Sequence, residues 1–131
     1  MSERHARCSC GALRISARGE PVRISMCQCL ACQRRTGSVF AAQARFPRDQ
    51  VHIDGDAREY RRVADSGNTL CFRFCPTCGA TVHYTIDDAP ELIAIPLGAF
   101  ADPHFPAPRV SIYESRRHAW VGVPDSAERH P

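Results

Sequence analysis

Eight cysteines in a chain of 131 residues constrain this fold more than any other feature, because seven of them fall into three tight groups. Cys27-Gln28-Cys29-Leu30-Ala31-Cys32 packs three thiols into six residues. Local disulfides cannot satisfy all three, but their sulfurs can converge on one soft cation, and zinc asks for little beyond four ligands. The stretch reads as a three-thiolate zinc site with its fourth position open, the arrangement that performs chemistry. Cys8-Ser9-Cys10 and Cys75-Pro76-Thr77-Cys78 already make a complete set of four. They can close a structural zinc site and pin two distant parts of the chain together, which gives two zincs per chain.

Cys71 is left over and is expected as a core thiol on a strand, in register with Arg73 and opposite to Phe72 and Phe74. The run Cys71-x-x-x-Cys75-x-x-Cys78 has the spacing of a radical S-adenosylmethionine motif. The chain is too short for the barrel such enzymes use, which needs roughly 200 residues.

One domain with a modest core suits this length. A composition 44% hydrophobic and 24% charged is that of a folded protein, not of a disordered one. The formal charge is +3, and all 17 basic side chains are Arg, spread from Arg4 to Arg129 without forming a block. Seven thiolates holding two Zn²⁺ would cancel that excess, so no polyanionic partner such as nucleic acid is implied. Met1 to Arg7 carries no apolar signal region, and no apolar run approaches membrane-spanning length. A cytoplasmic protein without membrane attachment is the expectation, and in that compartment clustered cysteines are metal ligands or catalysts before they are disulfides.

Alternation of apolar and polar residues predicts strands over Ala12–Ala17, Val22–Ser25, Val51–Ile53, Ala57–Val63, Thr69–Phe74, Thr81–Ile86, Leu92–Ile95 and Val110–Tyr113. Ser38–Phe46 reads as a buried strand, with a helix as the alternative. A helical turn is expected from Ala31 to Thr36, ended by Gly37. Gly79 suits a backbone turning tightly around a metal. Glu114–Trp120 reads as a short closing helix, with Trp120 plugging one end of the core, and the chain beyond Pro124 as a frayed tail. The fold class is therefore mainly β, a single domain of short antiparallel strands with one or two short helices over 1–124, followed by a disordered 125–131. His52 and His83 lie in strands, and the six histidines show no ligand spacing among themselves.

Three features together carry a family resemblance: Cys8-x-Cys10-Gly11, Cys27-x-Cys29-x-x-Cys32 with Thr36-Gly37-Ser38 after it, and Phe74-Cys75-x-x-Cys78-Gly79. From about Cys8 to about Trp120 the chain resembles the glutathione-dependent formaldehyde-activating enzymes, a family that includes centromere protein V and has a β-tent fold. The resemblance implies a structural zinc on Cys8, Cys10, Cys75 and Cys78 and a catalytic zinc on Cys27, Cys29 and Cys32. It also implies glutathione as the thiol and S-hydroxymethylglutathione as the product with formaldehyde. The residue between the first two catalytic cysteines is often His in that family. Here it is Gln28, which forms hydrogen bonds but carries no proton at neutral pH.

The residues support that chemistry independently. A zinc bearing three thiolates is a weak Lewis acid, better suited to holding another thiolate than to activating water. Such a thiolate can add to a small aldehyde to give a hemithioacetal, the reaction of a carbon–sulfur lyase. Arg34 and Arg35 follow the ligands, where a guanidinium can grip the carboxylates of a peptide thiol, or simply face solvent. A non-catalytic zinc-stapled module that binds glutathione, a protein or nucleic acid is the alternative, as a monomer or homodimer. Elemental analysis of protein purified without chelator should show up to two zincs per chain, the second lost first on dialysis against a chelator. Folded, metal-free protein rich in disulfides would contradict the division into four and three.

Overall fold

The alternating segments form strands in a computed structural model that describes residues 2–131. β1 (Glu3–Arg7), β2 (Arg14–Arg18), β3 (Arg23–Cys27), β4 (Ala41–Pro47), β5 (Val51–Asp54) and β6 (Arg58–Val63) come first. β7 (Thr69–Phe74), β8 (Thr81–Ile86), β9 (Leu92–Pro96), β10 (Val110–Ile112) and β11 (Glu128–Arg129) follow. Among the described residues one α-helix, α1 (Leu30–Thr36), joins them, with short 3-10 turns elsewhere. The protein is mainly β, as its sequence pattern predicts.

Two sheets result, a small antiparallel one in the order β1-β2-β5 and a large one in the order β11-β10-β3-β4-β9-β8-β7-β6. Side chains on a strand alternate between faces, so each strand sends every second residue to the same side. Ala6, Ile15 and Ala17 of the small sheet meet Ile24, Ala44, Phe46, Ile93 and Ile95 of the large one in a single cluster that also takes in Leu13 and Phe100. Each large aliphatic or aromatic side chain removed from water there contributes about 1.5–3 kcal/mol. The intervening positions of the large sheet point the other way. Cys27 pairs with Ala41, Ser25 with Gln43, Arg45 with Ala94, Ala94 with Tyr84, and Tyr84 with Phe72. That reverse face is where the three-cysteine stretch lies.

Several local expectations are corrected. The stretch expected as a disordered tail, 125–131, is ordered. Glu128–Arg129 pairs in parallel with β10, and Ala127 is buried. Polar contacts hold it: Glu128 N donates to Arg109 O at 2.9 Å, His130 N to Ser111 O at 2.9 Å, and Arg129 grips Glu114 through both carboxylate oxygens at 2.6–2.9 Å. β10 also runs parallel to β3, so the pairing is not wholly antiparallel. Trp120 does not plug the core, being 75% exposed. Val121, fastened by Arg117 Nη1 donating to its carbonyl at 2.7 Å, is buried in its place. The expected closing helix shrinks to a 3-10 turn at Glu114–Arg116.

His83 faces away from the cleft, buried and opposite Arg73, and neither ring nitrogen has a hydrogen-bond partner. Burial first, and then the charges of Arg73 and Arg48, push its pKa from the ordinary 6.5 down to about 4. The folded protein therefore refuses a proton that the unfolded chain accepts. The stability this neutral imidazole permits is complete above pH 6.5 and falls as pH drops from 6.5 towards 4, by up to about 3 kcal/mol. Denaturant titrations at pH 7.5 and pH 5 should show a smaller loss for His83→Leu than for the parent. An equal loss would mean that His83 does not couple folding to protons.

Candidate functional site

Strand geometry and a helix cap build the three-cysteine site together. β3 delivers Cys27 to the reverse face, level with Ala41 on one side and with Ile112 of the parallel neighbour on the other. Gln28 then points the opposite way, fully buried. Its backbone N–H donates to Ile112 O at 3.1 Å, and its side-chain amide meets Ser111 Oγ at 3.3 Å. Cys29 is the N-cap of α1, and its Sγ accepts the Cys32 backbone N–H at 3.3 Å. An oxygen usually fills that role. Here a sulfur does, so the helix start and the thiol cluster are one feature. α1 closes with the Gly37 N–H donating to Gln33 O at 2.9 Å.

The sulfurs of Cys27, Cys29 and Cys32 lie within 4.8 Å of one another, as do those of Cys8, Cys10, Cys75 and Cys78. Among the described residues no further His, Cys, Asp or Glu joins the trio. In the group of four, Cys8 Sγ is 3.7 Å from Cys10 Sγ, which is 3.6 Å from Cys75 Sγ. Zn–S bonds of about 2.3 Å arranged tetrahedrally set sulfurs about 3.8 Å apart. A disulfide would bring them to about 2 Å, and all eight cysteines are free. Backbone amides complete the set. Leu13 N donates to Cys8 Sγ and Thr77 N to Cys75 Sγ, each at 3.3 Å, which suits thiolates. Gly11 and Gly79 turn the two knuckles at φ 82° and 80°, where a side chain would be strained. Both cysteine groups have the donors and spacing to hold metal, and Cys71, buried on β7, belongs to neither.

Electrostatics favour a thiolate in the trio even without metal. Cys32 is pulled down to about 5, first by the hydrogen bond from Cys27, also by Cys29, and by the charges of Arg35 and Arg62. Cys27, the donor in that bond, is driven upwards for the same reason and by burial.

The trio lies at the base of a cleft of about 130 Å³ whose lining includes Arg35, Arg45, Arg62, Leu70, Phe72 and Tyr84. Arg35 stacks over Phe72 at 4.7 Å from the ring centroid and over Tyr84 at 5.7 Å. Arg62 covers Phe72 at 5.2 Å. The Nε atoms of Arg35 and Arg45 are buried without a protein partner. At the mouth, Asp65 on the β6–β7 turn and Arg116 approach to 3.9 Å.

Of the two arginines expected to serve the site, Arg35 lines the cleft, whereas Arg34 is exposed on the outer side of α1. Arg45, Arg62, Tyr84 and Tyr113 also line it and were not anticipated. For Arg45 and Tyr84 the signal was the parity of residues about Cys27, which needs the pairing register before it can be read. Tyr113 adopts φ 57° and ψ 42°, a left-handed conformation that costs a bulky residue about 1–3 kcal/mol.

No curated protein matches the chain. A Rhodobacter sphaeroides protein solved as a structural-genomics target is similar in fold, with a TM-score of 0.58 at 21% identity, covering 78% of this chain and 90% of that one. Residues 3–116, which include both cysteine groups, the cleft and the β10 corner, match the model of the glutathione-dependent formaldehyde-activating enzyme, and the chain belongs to that family.

Proposed function

We propose that the chain works as one domain that binds glutathione through its thiol at Cys27, Cys29 and Cys32 and forms or cleaves its adduct with a small aldehyde such as formaldehyde. The observation that carries this reading is a trio of convergent thiols, without a fourth protein ligand among the described residues, at the base of a cleft lined by three guanidinium groups. A site that served only to hold the fold would bring its own fourth ligand, as the Cys8, Cys10, Cys75 and Cys78 group does.

Zinc held by the trio would bind a further sulfur as thiolate, so that the nucleophile exists at neutral pH. The protein's own residues do the rest. Arg35 and Arg62, whose charges already favour a thiolate on Cys32, favour one on a ligand sulfur brought beside it. Glutathione carries two carboxylates, and planar guanidinium groups with free N–H donors take such groups bidentately. Leu70, Phe72 and Ile112 exclude water from the walls, which strengthens those charge interactions. Gln28 takes no part in proton transfer, because its amide is turned to Ser111 and away from the cleft.

Substitution separates the two metal groups. Cys75→Ser should unfold or strongly destabilise the protein in thermal melts, since a structural zinc contributes folding energy outright. Cys29→Ser should keep the fold, with a Tm close to the parent's, and lose thiol binding. Equal Tm for Cys75→Ser and the parent would reverse the assignment.

Glutathione should bind with release of about one proton below its solution pKa, measured by calorimetry in two buffers of different ionisation enthalpy. S-methylglutathione, which has no thiolate to offer, should bind much more weakly, and Cys32→Ser should erase the difference. Acceleration of adduct formation, followed by nuclear magnetic resonance with ¹³C-formaldehyde, separates an enzyme from a carrier. Absence of glutathione binding would leave the zinc-stapled binding module.

A further inference from the structure

Addition of a thiolate to a carbonyl carbon moves the C=O π pair onto oxygen, and a fixed hydrogen-bond donor meets that charge best in a cleft with apolar walls. Two tyrosines line the cleft. Tyr84 belongs to the patch formed with Leu70, Phe72 and Ala94, where its ring packs on Phe72 at 4.9 Å. Tyr113 packs instead against the cluster of Cys27, Cys29, Cys32 and Ala41. It is the residue after Ile112, which stands level with Cys27 in the parallel register of β10 and β3.

Tyr113 is held there in a conformation that a bulky residue rarely adopts, with φ 57°. Its carbonyl accepts the Arg116 N–H at 3.1 Å, and Arg116 lies 5.6 Å from its ring centroid. The next residue is tied down twice, by Glu114 N donating to His130 O at 3.0 Å and by the paired contacts between Glu114 and Arg129. Strain maintained by so many neighbours beside a reactive group is the mark of a side chain placed for use.

We propose that Tyr113 is a further catalytic residue whose hydroxyl donates a hydrogen bond to the aldehyde oxygen as the substrate thiolate adds. This rests on the thiol–aldehyde reading above. In the step a sulfur lone pair forms the C–S bond, the C=O π pair moves to oxygen, and that oxygen takes a proton from water, leaving hydroxide. The phenol keeps its proton throughout and acts only as a fixed dipole. Such a donor stabilises the transition state more than the aldehyde, so it raises the rate of formation and of cleavage without tightening thiol binding.

The test uses the zinc-loaded full chain. Tyr113→Phe retains the ring and its packing and removes the donor. Exchange between ¹³C-formaldehyde and its glutathione adduct should slow by about 100-fold, while calorimetric affinity for glutathione stays at the parent value. In the parent, the ¹³Cζ resonance of labelled Tyr113 should shift when formaldehyde joins glutathione and stay still with glutathione alone, a readout that needs no variant to fold. An unchanged exchange rate in Tyr113→Phe overturns the proposal. So does equal loss of rate and affinity, which would make the ring a wall, or a loss produced by Tyr84→Phe instead. A parent that binds glutathione without accelerating exchange would instead bring down the thiol–aldehyde reading itself, and this proposal with it.

Discussion

The approach of Cys8 and Cys10 to Cys75 and Cys78 is the constraint from which the rest of the architecture follows. Cys10 and Cys75 are 65 residues apart, yet their sulfurs stand 3.6 Å from one another. Cys8 and Cys10 lie on the link from β1 to β2 in the small sheet, and Cys75 and Cys78 on the link from β7 to β8 in the large one. Joining them clamps one sheet over the other, and Cys8 and Cys75 are themselves part of the apolar cluster between the two. Closing so long a loop has an entropic cost that grows slowly with length, so a single metal-sized contact can hold most of the chain.

Clamping the sheets leaves the large one with two unlike faces. Ile24, Ala44 and Phe46 are sealed under the small sheet, whereas Ser25, Cys27, Gln43 and Arg45 emerge on the other side. Gln43 Nε2 is tied to Ser25 Oγ at 2.7 Å, which keeps this polar face ordered. The guanidinium groups that gather there would repel one another in isolation. Thiolates and an anionic ligand are what this concentration of positive charge favours, and at Cys32 the charges of Arg35 and Arg62 add to the Cys27 and Cys29 hydrogen bonds that lower its pKa first.

The C-terminal segment acts as a brace for the same cleft. β10 is only three residues long and parallel to both its neighbours, so it relies on β11 and on the Glu114–Arg129 contact for support. Arg129, with Ser111 and Arg117 assisting, holds the Glu114 carboxyl below the usual carboxylate range. What this brace fixes is the sharp left-handed corner at Tyr113, and through it one wall of the site.

The sequence alone determined the two cysteine groups, the strand-rich class and the helical turn that carries Cys32, because ligand spacing, period-two alternation and Gly37 are local properties of consecutive residues. It also sufficed to mark Cys71 as a core thiol, since it lies outside the three tight cysteine groups on a stretch that reads as a strand. Tertiary structure decided what depends on partners. Arg35 and not Arg34 enters the cleft because one step along a helix turns a side chain by about 100°. Arg62 and Tyr84 line the cleft from strands towards the other end of the sheet. Trp120 gives way to Val121 in the core, and Glu128–Arg129 becomes a short strand because β10 offers an edge that no local pattern announces.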